Sequence, residues 1–110
     1  MATVNLSKRT TGIGFEYSET IATGANGNTV LMTPNYDPSR TLNCTLIAGA
    51  NTGKFQFTTS TESALAAGTA VWQNWTNVTD TGTVNDSIDK PITAVRGVSK
   101  AGEVSIELNY

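Results

Sequence analysis

Apolar and polar residues alternate with a period of two along several short stretches of this chain, and the final stretch shows it most clearly. Val104, Ile106, Leu108 and Tyr110 interleave with Glu103, Ser105, Glu107 and Asn109, the pattern of a strand with one buried face. Phe15, Tyr17, Glu19 and Ile21 share one face of an earlier stretch, and Glu16, Ser18 and Thr20 the other, up to the turn Gly24-Ala-Asn-Gly27. Asn-Gly accepts the positive φ of tight hairpin turns. Residues 29–33 predict a short apolar strand closed by Pro34, and the following Asn-Tyr-Asp-Pro segment predicts a loop through Pro38, since two prolines so close exclude a central strand.

Residues 41–48 place Leu42, Cys44, Leu46 and Ala48 inward and Asn43 and Thr45 outward. The run Gly49-Ala-Asn-Thr-Gly53 reads as a turn, and residues 54–59, with Phe55 and Phe57 on one face, complete a predicted hairpin. Residues 61–67 are the one helical candidate, with Ser60 or Thr61 as cap, Glu62 at the positive end and Gly68 as the stop. Residues 69–76 form a strand holding Trp72 and Trp75, whose odd separation puts them on opposite sides unless a bulge intervenes. The polar run 77–90 predicts a long loop of the kind that binds or covers a partner. Residues 91–99 and 103–110 predict a closing hairpin around Lys100-Ala-Gly102. Residues 1–14 show no sustained period and read as an N-terminal arm. About seven strands separated by turns make residues 15–110 a single all-β domain, an antiparallel β-sandwich or small barrel with at most one short helix.

Composition agrees with the pattern. The 110 residues are rich in Thr, Asn, Ser and Gly and only 15% charged, and β-branched Thr suits a pleated, half-exposed surface better than a helix. A net charge of -2, with the seven Lys and Arg scattered, provides no basic stripe for nucleic acid. No apolar run approaches the roughly 20 residues that span a bilayer. The first nine residues lack the apolar core of a signal peptide, so synthesis and folding in a cytoplasm are expected, without membrane or nucleic-acid partners. Cys44 is the one cysteine and has no partner for an internal disulfide; it reads as a small buried apolar residue. The Asn-x-Ser/Thr triplets follow from an Asn- and Thr-rich composition.

Reactive chemistry is sparse. Without any histidine, the usual general base, the commonest nitrogen ligand and the Ser-His or Cys-His nucleophile pairs are all missing. One Cys with carboxylates matches no zinc site. Glu16 with Glu19, and Asp80, Asp86 and Asp89, are the carboxylate groups in reach of one another in sequence, but acid–base work needs a pocket that raises one pKa, and the Asp spacing fits no EF-hand loop. Gly12-Ile-Gly14 and Gly49-Ala-Asn-Thr-Gly53-Lys54 lack the ending and the following helix of a phosphate loop and read as turns. No enzyme activity and no cofactor are expected. Tyr17, Tyr36, Trp72, Trp75 and Tyr110, with Arg40 and Arg96, are residue types suited to recognition.

Four segments carry a resemblance: Lys54-Phe-Gln-Phe-Thr-Thr-Ser60, Ala66-Ala-Gly-Thr-Ala-Val-Trp-Gln-Asn-Trp75, Lys90-Pro-Ile-Thr-Ala-Val-Arg-Gly-Val-Ser99 and Gly102-Glu-Val-Ser-Ile-Glu-Leu108. In their cadence, which covers about half of the chain, the sequence resembles small virion proteins of tailed bacteriophages that decorate or cement the head. The resemblance implies a decoration protein on the capsid surface of the virion, bound to the major capsid protein, bridging and stabilising its subunits. It also implies a homo-oligomer, a trimer being favoured by the threefold positions of shells. On this reading Leu6, Lys8, Arg9 and Ile13 form the capsid-binding arm, and Trp72, Trp75 and Asp86 a self-association surface. A tail, neck or fibre-associated subunit, or a carbohydrate-binding β-sandwich with exposed coplanar Trp rings, are the alternatives.

Overall fold

The computed structural model describes residues 2–10 and 12–110, with the backbone alone for residues 76–80. Its strands are β1 (Thr3–Asn5), β2 (Ser7–Lys8), β3 (Phe15–Ile21), β4 (Thr29–Leu31), β5 (Leu42–Thr58), β6 (Gln73–Ile88), β7 (Ala94–Ala101) and β8 (Val104–Asn109). A 3-10 turn spans Thr33–Asn35, and helix α1 spans Glu62–Ala67. The fold is all-β, a nearly closed barrel-like sheet in the order β1-β4-β7-β5-β8-β3-β2, with β6 on the other side of β5. All pairs are antiparallel except β1 with β4.

The architecture turns on the long strand β5. Its first half, Asn43 to Ile47, pairs with β8, and its second half, Thr52 to Thr58, pairs with β7. β6 follows it along the other edge through shifts in register at Ile47/Gly49, Gly49/Gly53 and Lys54/Gln56. Gly49 and Gly82 face each other at this corner with φ of 60° and 81°, a backbone that residues with a Cβ rarely adopt. Trp75 and Asp86 measure how far the ribbon folds back. They lie on one strand, where a straight β-ladder would hold them roughly 36 Å apart, yet Trp75 Nε1 donates to Asp86 Oδ2 at 2.7 Å. The two halves of the ribbon therefore close over each other as two layers. At the opposite seam Gly27 N–H donates to Gly97 C=O (2.7 Å) and Ser99 N–H to Ala25 C=O (2.9 Å), nearly closing the barrel. Gly97 permits this: a Cβ there would lie 2.7 Å from Ile21 Cδ1 and 2.8 Å from Ile106 Cγ2.

Alternating residues fill the space between the layers. Leu42, Cys44, Leu46 and Ala48 enter from the first half of β5, Phe55 and Phe57 from the second, and Val104, Ile106, Leu108 and Tyr110 from the C-terminal end, all buried as their period predicts. Helix α1 also forms where its cap and stop residues place it. Thr61 Oγ1 accepts from Ala64 N–H at 3.1 Å, and Gly68 ends the helix in the left-handed conformation.

Four expectations are corrected. Residues 49–53 are a corner inside one strand and not a hairpin turn, because positive-φ glycines serve a bulge as readily as a turn. The run 77–90 is mostly strand, since β6 extends to Ile88; in its second half Thr81, Thr83 and Asn85 occupy the solvent side of an edge strand, which leaves Val84 and Ile88 as the apolar positions of the period. β7 and β8 are joined near Gly102 but belong to different layers, each pairing with its own half of β5. Residues 1–14 are no free arm: β1 pairs with β4, β2 with β3, and Leu6 between them is 6% exposed in the core.

Candidate interaction surface

The residues expected to dock on a partner divide between interior and surface. Leu6 belongs to the core and is not available to a capsid. Lys8 is exposed on the short edge strand β2. Arg9 is half-buried and engaged within the molecule: its backbone N–H bonds Gly14 C=O at 3.1 Å, and its Nη2 donates to Asn109 Oδ1 at 3.0 Å. Ile13 does the opposite and is 80% exposed, flanked by Gly12 and Gly14, both at positive φ. The Arg9–Gly14 bond thus closes a knuckle that projects one aliphatic side chain into solvent.

The base of the knuckle is tied to the end of the chain. Tyr110 N–H bonds Phe15 C=O (2.9 Å), Arg40 Nη1 donates to the Tyr110 carbonyl (3.1 Å), and the Arg40 guanidinium lies 6.0 Å from the centre of the Phe15 ring. The Tyr110 hydroxyl donates to Asp37 C=O at 2.9 Å and accepts from Asp37 N–H at 2.6 Å. Asp37 also meets Arg40 Nε at 3.5 Å, and bonds from Ser39 hold its carboxyl below the usual carboxylate range. Tyr36, the residue before Asp37, is 40% exposed. Ile13 and Tyr36 are therefore carried by segments fastened to the same Phe15–Tyr110 junction.

The expected self-association surface is spent within the molecule. Trp75 is buried against Phe55 (6.0 Å between ring centres) and edge-on to Phe57 (6.2 Å), with its N–H held by Asp86. The strand expected over residues 69–76 begins only at Gln73, so Trp72 precedes β6 and the spacing argument does not apply to it; it is half-buried, with Arg96 stacked 4.1 Å above its ring. Arg96 Nε donates to Gln56 Oε1 (2.8 Å), and Gln56 Nε2 to Asn74 Oδ1 (3.0 Å). Partial burial lowers the Arg96 pKa from its usual value. Two coplanar, solvent-facing Trp rings, the mark of a glycan platform, are not formed by this pair.

Surface chemistry elsewhere is polar and shallow. Ser18, Thr20, Ile47, Ser105 and Glu107 line an open groove of about 430 Å³ across β3, β8 and β5. Glu19 faces inward, where its carboxylate accepts from Asn28 N–H at 3.0 Å and from Tyr17 Oη at 3.1 Å; burial raises the Tyr17 pKa. Among the described residues no three Cys, Asp or Glu side chains gather as a metal cluster, and no helix is long and apolar enough to cross a membrane. Burial, with Asp86 across the pair, pushes the Cys44 thiol well above its usual pKa. Of the other exposed apolar residues, Ile47 was legible as the one apolar side chain at an outward position of its strand; Val71 carried no signal.

No protein-family model matches the chain, and no curated protein matches it. Among solved structures, it is similar to a chain described under "Bacillus endospore appendages form a novel family of disulfide-linked pili", with 16% identity over 96% of both chains and a TM-score of 0.39. A likeness at that level carries no argument about function.

Proposed function

We propose that this chain is a structural recognition domain without a reaction of its own, and that it attaches to the outside of a tailed-bacteriophage head as a decoration protein bridging capsid subunits. The phage reading rests on the sequence resemblance. The observation that supports a docking role is the Ile13 knuckle: an aliphatic side chain 80% exposed to water on a glycine-flanked loop whose base is fastened to the C-terminal strand. An exposed apolar residue of this kind gains by transfer into a partner's pocket. A repeated shell multiplies one such weak contact into durable attachment.

Co-sedimentation with capsids stripped of accessory proteins tests this reading. The full chain is expected to bind saturably at a fixed ratio per capsid subunit, and Ile13→Asp to lose binding while keeping its thermal transition. Truncating residues 1–12 is unsuitable, because it would remove β1, β2 and the core residue Leu6. Failure of the folded full chain to bind overturns the head assignment, and undiminished binding by Ile13→Asp overturns the knuckle as its anchor.

A further inference from the structure

Strand β6 is the long open edge of this sheet. Among the described residues β5 is the one strand that pairs with it, and the hydrogen-bonding phase of the ladders shows which of its backbone groups face outward. Tyr110 N–H bonds Phe15 C=O, so in the β3–β8 register the residues bonded to β3 are Tyr110, Leu108 and Ile106, and Glu107 points its backbone toward β5. Glu107 pairs with Thr45. Cys44, one residue earlier, must then point its backbone the other way, toward its β6 partner Asp86. Alternation continues across β6: Val84, Asp86 and Ile88 bond to β5, while Thr83, Asn85 and Ser87 aim N–H and C=O at the free edge.

We propose that this edge pairs antiparallel with the same edge of a second copy of the chain, with Asn85 opposite Asn85 and Thr83 opposite Ser87. Three observations select a second copy as the occupant. The other two outer strands, β1 and β2, have three and two residues, so a head-to-tail contact would align a long edge with a very short one. Only β6 matches β6 in length. The outward row of Thr83, Asn85 and Ser87 is uncharged, so two copies face each other without like-charge repulsion, and the nearby acid, Asp86, is turned inward to Trp75. Residues 81–88 also contain no Lys and no Pro, two common devices that keep an edge strand from pairing.

The register gives three facing pairs, each exchanging two bonds, or about six backbone hydrogen bonds. A contact of this length falls below the standard interface of roughly 1,200–2,000 Å², so the dimer forms reversibly at high local concentration. The symmetry is two-fold, unlike the trimer implied by the phage resemblance. The contact is independent of the Ile13 knuckle, so each proposal can fail alone.

Sedimentation equilibrium of the full chain from micromolar to millimolar concentration, paired with amide exchange by NMR, tests the proposal. A monomer–dimer equilibrium is expected, with the amides of Thr83, Asn85 and Ser87 gaining protection as concentration rises and those of Val84 and Asp86 protected throughout. Asn85→Pro removes a solvent-facing N–H, which an edge strand tolerates, and Asn85→Lys places like charges across the two-fold axis. Each is expected to weaken dimerisation at least tenfold while retaining the far-ultraviolet spectrum of the parent. A chain that stays monomeric at millimolar concentration, a dimer unchanged in both folded variants, or a dimer without concentration-dependent protection at residues 83, 85 and 87 overturns it.

Discussion

Replacing Asp86 with Ala tests the folded-back ribbon at the point that defines it. In the native chain the Trp75 indole N–H, enclosed by Phe55 and Phe57, has the Asp86 carboxylate as its acceptor at 2.7 Å. The substitution leaves that donor buried without a partner, which costs about 1–3 kcal/mol. For a domain of this size each kcal/mol lowers the midpoint by about 4 °C, so a fall of roughly 4–12 °C is expected. Urea unfolding followed by circular dichroism and tryptophan fluorescence measures the loss directly. The same substitution in a Trp75→Phe background supplies the control, because phenylalanine keeps an aromatic ring but has no N–H to orphan. There Asp86→Ala should cost less by about 1–2 kcal/mol, a coupling in the range of side chains in contact. If Asp86→Ala costs under about 0.5 kcal/mol, or the same in both backgrounds, the two halves of β6 do not meet as described.

Further predictions bear on two single residues, Leu6 and Cys44. Leu6→Ala should destabilise by about 2–5 kcal/mol in chemical denaturation, the cost of a large-to-small change in a core; a surface arm would lose under about 0.5 kcal/mol, and that result would refute the placement of the N-terminal segment in the sheet. Cys44 should resist maleimide at pH 8 in the folded chain and react once urea unfolds it. Its raised pKa also makes stability pH-dependent: below about pH 8.5 the thiol is protonated in both states, and above it the unfolded thiol ionises while the buried one does not, so stability falls as pH rises. Cys44→Ala should flatten that alkaline slope, and an unchanged slope would rule out the thiol as its origin.

Much of the core was legible along the chain because a strand encodes its faces locally. The alternation at residues 104–110 and 41–48 identified side chains that fill the barrel, and the Thr61 cap with the Gly68 stop located the helix. What misled was chemistry with two uses. Gly49 and Gly53 carry turn residues, yet the ladder runs through them because β6 bends in step at Gly82. The polar run 77–90 resembles a loop, yet alternate residues of its second half, Val84, Asp86 and Ile88, bond to β5, a partner some 40 residues away in sequence, and only every second side chain needs to be apolar. The candidate site divides the same way. Ile13 between two glycines was visible as an exposed residue in a loop, whereas Trp75 and Asp86 look like surface chemistry in the sequence, and only the folding of the ribbon buries Trp75 and half-buries Asp86 against it.

The sequence by itself determined the fold class, the inward face of most strands and the scarcity of reactive groups, because composition and period-two patterning are local properties. The tertiary structure decided which strands are neighbours, that β5 and β6 cross from one layer to the other, that Leu6 lies inside, and that one edge of β6 has no partner strand among the described residues. Pairing is a long-range choice made by backbone groups common to every residue, so side-chain pattern constrains it only through the faces it must bury.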